Sequence, residues 1–257
     1  MRELLDDLGR PVVLPDAVGR VVSLVPSITE ALVSVRRAAV VGATDWCTHP
    51  ADLDVPRVRG TKNPDLARIA ALAPDVVVAN QEENRELDVA RLAEAGRSVW
   101  VTRTESVPGS LGSLRRLIVE ALGWDEPGWL AEAERVWAAP PSLPPLRAAV
   151  AVWRDPWMAV GRDTFTGDLV ERLGLVHVLR DDEGRYPHVD VASLDDPASY
   201  DLVLLPDEPY VFTADDGPEA FAHVPTALVD GRGLTWYGPS LVDARARLEA
   251  AVAAVAR

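Results

Sequence analysis

Lysine is almost missing from this 257-residue chain: 25 of its 26 basic residues are arginine, and Lys62 stands alone. Cysteine occurs once, as Cys47, so no internal disulfide can form, which fits a reducing compartment. No apolar run approaches the roughly 20 residues that cross a bilayer. Positive charge is scarce as well. With 40 acidic against 26 basic residues the net charge is -14, which repels phosphate backbones and anionic lipid surfaces, so neither nucleic acid nor membrane is an expected partner. The opening, MRELLDDLGRPVVLP, lacks both the basic start and the apolar core of an export signal. The expected location is therefore the cytoplasm, with a periplasmic or lipid-anchored setting only if the start is misassigned. What is present is globular in character: 48% hydrophobic and 26% charged residues are enough for one large or two small cored domains.

Short β-branched runs recur, each closed by turn residues and followed by a helical pattern. RVVSLV (20–25), AVVGAT (39–44), DVVVAN (75–80) and SVWVT (98–102) read as parallel strands covered on both faces. Ser27 and Glu30 form a capping-box signature for a helix over 27–37. Asn63, Pro64 and Asp65 mark a second helix start, with Leu66, Ile69, Ala70 and Leu72 as its buried stripe. A second set follows: RAAVAVW (147–153), a short WMAVG (157–161), DLVLLP (201–206) and TALVD (226–230), with helices at 164–173 and 240–256. Between them lie helical patterns at 109–122 and 129–138 and a stiff PPSLPP connector. The expected organisation is an α/β lobe over 1–105, a helical connector over 106–145 and a second α/β lobe over 146–257. The fold class is α/β, with two Rossmann-like parallel sheets.

Parallel sheets bind ligands at the carboxyl ends of their strands, and the rare residues collect there. DWCTHP (45–50), GTKNP (60–64) and NQEEN (80–84) lie in the first half; RDPW (154–157), DEPY (207–210) and GRGLTWYG (231–238) lie in the second. Trp46, Trp153, Trp157 and Trp236 sit in or beside these loops, where broad apolar rings would suit a large, flat ligand; the alternative is that the loops fold inward. Trp124, Trp129 and Trp137 lie on the connecting helices and are assigned to packing. Ser27, Thr29 and Glu30 read as capping residues, and His177, His188 and His223 as surface residues. Cys47 and His49 lack the paired spacings of a structural zinc site, but a lone imidazole from His49 could complete a metal already held in a chelate. Glu82 and Glu83 either complement a helix dipole or, with Asp207 and Glu208, receive a cation. Lys62 either pairs with these carboxylates or binds an anionic arm.

Taken together, DLGRPVVLPDAVGRVVSLVPSITEAL, VVGATDW, NPDLARIAALAPDVVVA, WMAVGRDTFTGDLVERLG and DLVLLP resemble the helical-backbone class III substrate-binding proteins, known as cobalamin and ferric-siderophore receptors of ABC importers. The loops look most like a signal-less branch, the helical backbone metal receptors. The resemblance implies two α/β lobes joined by a helix, with a small-molecule ligand held between them and no catalysis. The ligand it implies is a corrinoid or another metal chelate. The candidate ligand-binding residues are Asp45, Trp46, Cys47, His49, Lys62, Glu82, Glu83, Trp153, Trp157, Asp163, Glu208, Tyr210, Trp236 and Tyr237, with His49 as the metal ligand. At the positions where transport members carry a permease-contacting Glu on each lobe, this chain has Ala67 and Ala192, which weakens permease docking. Two rival readings stand beside this one. The first is an importer receptor with an unannotated export signal. The second is a small-metabolite enzyme using Cys47, His49, Glu82 or Glu208.

Overall fold

A Val-rich strand cannot leave one face in water, and four such strands pair in parallel in the first half of the chain. Val40–Ala43, Val21–Ser23, Val76–Asn80 and Val99–Thr102 lie side by side in that order. Every residue of the last two strands is buried, as expected when helices cover both faces. The computed structural model describes residues 1–182 and 184–255. On one sheet, Val22, Leu24, Val77, Ala79 and Val101 pack with Val58, Ile69 and Leu92 into a core. Ahead of the sheet, Arg2–Leu5 and Pro11–Leu14 form an antiparallel hairpin, turned through Gly9 at φ 74°.

Two helix starts differ from expectation. The capping box at Ser27 and Glu30 does not form, because Pro26, whose ring fixes φ and whose missing N–H costs nothing there, already opens the helix Pro26–Arg36. Val25 occupies the cap position without a side-chain bond, and Ser27 and Thr29 are buried inside the first turns. Asn63 and Pro64 instead pair with Arg59–Gly60 as a two-residue antiparallel ladder. Asp65 then caps the short helix Leu66–Ala71, accepting from Arg68 N at 3.0 Å. Of the expected stripe only Ile69 is fully buried, with Leu66 and Leu72 packed at the margin of the core.

The second sheet is built around Arg147–Trp153. Leu202–Pro206 pairs with it in parallel, and Thr226–Val229 lies beyond. On its other flank lie Val176–His177, parallel, and Met158–Ala159, antiparallel. Thr164 caps the helix Phe165–Leu173 through Gly167 N at 3.1 Å, and Leu241–Val255 is the last helix. His177 is not a surface residue. It is 3% exposed, with Nε2 2.9 Å from Val160 O, because the short edge strand turns its ring inward. His188 and His223 are exposed as expected.

By compactness the chain divides into one unit of residues 1–104, 108–131 and 237–239 and another of 105–107, 132–236 and 240–257. The 106–145 stretch is thus shared between the units. It carries Val107–Arg115, continued by a π-helical stretch Arg116–Ala121, and Gly128–Ala138. Trp124 and Trp137 are packed as expected, their indoles donating to Val18 O at 3.0 Å and Leu241 O at 2.9 Å. Trp129 is half-buried and donates to Ser34 Oγ at 3.0 Å. Among the described residues no helix is long and apolar enough to cross a membrane.

Candidate functional site

In the first unit the carboxyl edge of the sheet is organised by two asparagines. Asn80, at the end of its strand, accepts from Glu82 N at 2.8 Å and Glu83 N at 3.2 Å and donates to Thr102 Oγ1 at 3.1 Å. Asn84 accepts from Asn80 N at 2.8 Å and donates to Thr61 O at 2.9 Å, tying the NQEEN turn to the GTKNP loop. Glu82 and Glu83 are therefore in a turn ahead of the helix Glu86–Glu94 and do not form its first turn, which carries Glu86 and Asp88. Lys62 reaches across and donates to Glu82 O. Desolvation pushes the Glu83 carboxyl above its ordinary range, with Lys62 opposing and Glu82 adding to the rise. Tyr237 belongs to the same group. It is 5% exposed, and burial and then the Glu83 charge raise its phenol, against the Ser27 and Thr104 hydroxyls.

The neighbouring loop holds the other candidates of this unit. Arg57 donates to Thr44 O at 3.0 Å, Cys47 O at 2.9 Å and Leu53 O at 3.0 Å, and so fixes its course. Cys47 is 0% exposed, its sulfur 3.0 Å from Thr29 Oγ1 and 3.1 Å from Thr44 Oγ1. Burial pushes its thiol up, so the thiolate that a nucleophile requires is disfavoured. Asp45 is exposed, with its N–H on Arg59 O at 2.9 Å. Trp46 is 65% exposed, its Nε1 so close to Gly60 that a Cβ there would lie 3.2 Å away. His49 is half-buried, with Nδ1 3.2 Å from Thr48 Oγ1.

In the second unit the corresponding edge carries aromatic rings. Trp153, 43% exposed at the end of its strand, meets Tyr210 edge to face, with ring centroids 5.6 Å apart at 77°. Tyr210 leans on Phe212 at 4.7 Å, and Phe212 stacks on Trp157 at 5.7 Å. Trp157 also meets Phe221 edge to face. It is thus partly a core residue, whereas Trp153 presents its ring outward. Arg154 fastens the two loops together: it bridges Asp216 and Glu219 and lies 5.6 Å over Trp157, while Asp216 accepts the Tyr210 hydroxyl at 2.7 Å.

A separate pair sits at the next strand end. Burial raises the Glu208 carboxyl, while the Trp236 indole N–H donates to it and opposes the rise. Gly231 lets this loop close, since a Cβ there would come within 2.5 Å of Glu208 Cγ. Arg232 lies 5.8 Å over Trp236. Asp163, exposed at φ 55° in the turn before Phe165–Leu173, is 3.8 Å from Arg162.

The structure thus brings Lys62, Glu82, Glu83 and Tyr237 together in one unit, and Trp153, Tyr210 and Trp157 in the other. Sequence reasoning did not find Asn80, Asn84, Ser27 and Thr104 as the frame of the first group. It also missed Arg154, Asp216 and Glu219 as the frame of the second. The Asn-x-x-x-Asn spacing at a strand end was the available signal for the former; nothing local predicted the latter. Among the described residues no group of three or more His, Cys, Asp and Glu side chains is placed to hold a metal ion.

This architecture is the fold of the class III substrate-binding proteins that the sequence resembles. The periplasmic vitamin B12 binding protein BtuF of Vibrio cholerae superposes with a TM-score of 0.70 at 15% identity, covering 93% of this chain and 98% of that one. The periplasmic heme-binding protein RhuT from Roseiflexus sp. RS-1 gives 0.70 at 20%, over 91% and 99% of the two chains. A periplasmic heme-binding protein from Pseudomonas aeruginosa gives 0.71 at 20%, over 91% and 92%. No family model matches the chain, and no curated protein matches it by sequence. At these identities the likeness establishes the fold, and it lends no support to the cytoplasmic expectation.

Proposed function

We propose that this chain is a non-catalytic binding protein for a metal chelate with a broad, flat organic framework, a corrinoid of the cobalamin kind or a heme. One observation carries the reading: Trp153 stands with its ring exposed at a strand end, set edge to face against Tyr210, and the loop behind it is clamped by Arg154. Exposed aromatic rings held in place are costly in water and favourable beneath a flat apolar ligand. The names of the similar structures, which bind vitamin B12 or heme, agree in kind. His49 is the residue we assign to the metal of such a ligand, as a single axial nitrogen. An enzymatic reading built on Cys47 is disfavoured by the thiol's enclosure and raised pKa.

Ala67 and Ala192, both exposed and both in the first turn after an aspartate cap, offer a permease no carboxylate, so docking to an importer is not part of this proposal. The test is titration of the purified protein with cyanocobalamin, hemin and a ferric hydroxamate, followed by absorbance and calorimetry. Saturable binding to cyanocobalamin or hemin is expected. Heat and absorbance traces indistinguishable from buffer for both cyanocobalamin and hemin would refute the proposal, and binding of the ferric hydroxamate alone would overturn it as well.

A further inference from the structure

A groove lies in the second unit, away from both sheet edges described above. It is lined by residues 137–141, where the helix Gly128–Ala138 runs out into the proline connector, and by Asp168, Glu171 and Arg172 on the helix Phe165–Leu173. The space is open to solvent and measures about 450 Å³, within the range of small-ligand sites. Its chemistry begins with the sequence. Pro140 and Pro141 carry no N–H, so the backbone donors that would close the last helical turn onto Val136 O and Trp137 O do not exist. Arg245 serves Val136 O at 2.9 Å. Among the described residues no donor reaches Trp137 O or Ala138 O.

The facing wall adds acceptors. Asp168 takes the Val107 N–H at 2.7 Å and Arg172 Nε at 2.7 Å, so the one cationic side chain of the lining is already paired. Glu171 accepts from Arg180 through Oε1 at 2.8 Å, and its second oxygen has no partner among the described residues. Arg180 itself lies outside the lining and is 60% exposed, so water screens its charge. The three ionised side chains of the lining sum to one negative charge, and the carbonyl end of a helix dipole adds to it. An anion would meet both. Beside these acceptors stand the pyrrolidine rings of Pro140 and Pro141, both exposed. We infer that the groove is a second binding site, for a small organic cation that seats an ammonium group at the helix end and Glu171 and lays a compact apolar body on the two prolines.

The site stands apart from the metal-chelate reading and survives or falls without it. Benzylammonium, benzyl alcohol and benzoate share one ring and differ in the group that meets the acceptors. Each is titrated into the isotope-labelled whole protein, and backbone amide shifts are followed by nuclear magnetic resonance. Benzylammonium is expected to give saturable shifts concentrated at residues 137–139 and 168–172, with an affinity about threefold or more above that of benzyl alcohol; added salt should shrink that ratio, and benzoate should leave these residues unmoved. Glu171→Gln, at a side chain one-third exposed, should bring the two neutral-pH affinities together. Ala138→Arg, at an exposed position of the lining, places a guanidinium in the groove and should abolish the shifts. The site is overturned if benzylammonium leaves residues 137–139 and 168–172 unmoved or only scatters small shifts over the acidic surface. It is overturned equally if benzyl alcohol or benzoate binds there as tightly. The wild-type titrations decide these outcomes even where a variant fails to fold.

Discussion

Arg245 offers the sharpest test of how this fold closes its helix ends. The helix Gly128–Ala138 runs into Pro140 with no glycine to cap it, so its last carbonyls need outside donors. Arg245, from the last helix, supplies them: Nη1 donates to Val136 O and Ala139 O, both at 2.9 Å, and Nη2 donates to Pro140 O. Its Nε also pairs with Glu249 at 2.8 Å, and its side chain is only 8% exposed. A hydrogen bond from a charged donor contributes about 1.5–3 kcal/mol. Allowing water to recover part of the loss at the half-open edge, Arg245→Ala should cost about 3–5 kcal/mol. Arg245→Lys should restore only a fraction, since an ammonium is a point donor and cannot span three carbonyls. Urea denaturation followed by circular dichroism measures the loss. Hydrogen exchange should show the last turn of Gly128–Ala138 opening faster than the rest of the chain. A loss below about 1 kcal/mol, the level of an ordinary surface substitution, with unchanged exchange in that turn, would refute the reasoning.

Three further outcomes follow from the site geometry. Trp153→Ala should weaken binding of whichever chelate the wild type takes by about tenfold or more while leaving thermal stability nearly unchanged, because the ring is half in solvent; equal affinity would remove the aromatic platform from the argument. Cys47 should resist a thiol-reactive disulfide reagent at neutral pH and react at once in denaturant, as its enclosure and raised pKa require; rapid labelling of the native protein would contradict both. The Asp195 carboxylate is lowered, first by the Val224 N–H and then by those of Ala222 and His223. A lowered folded pKa stabilises above the unfolded value of about 3.9 and is lost as pH falls through the folded one. Asp195→Asn should accordingly flatten the acid limb of a stability-against-pH curve, and an unchanged limb would show that the three N–H bonds do not matter there.

The two sheets were legible because their signals are local. Runs such as DVVVAN and RAAVAVW are too uniformly apolar to be anything but doubly covered strands, and the structure places strands at Val76–Asn80 and Arg147–Trp153. Glycine and proline marked the helix ends for the same reason. What failed depended on competition between neighbours. Ser27 met the capping pattern, yet Pro26 took the first helical position. Asn63 and Pro64 resembled a helix start, yet Arg59–Gly60 was available as a pairing partner. His177 has no motif, and only the packing of a two-residue edge strand decides that its ring is enclosed. The loop aromatics could be placed at strand ends from sequence, but the Arg154 clamp that orders them spans 62 residues to Asp216, a separation at which no spacing rule operates.

The near-absence of lysine has a practical consequence. Arg20, Arg57, Arg147 and Arg245 each grip backbone carbonyls from another segment, and guanidinium groups are inert to the esters used to acylate amines. Apart from a terminal amino group, such a reagent finds a single primary amine in the whole sequence, on an exposed side chain beside Glu83. A fluorophore attached there needs no engineered residue and would report directly on whatever enters that edge of the molecule.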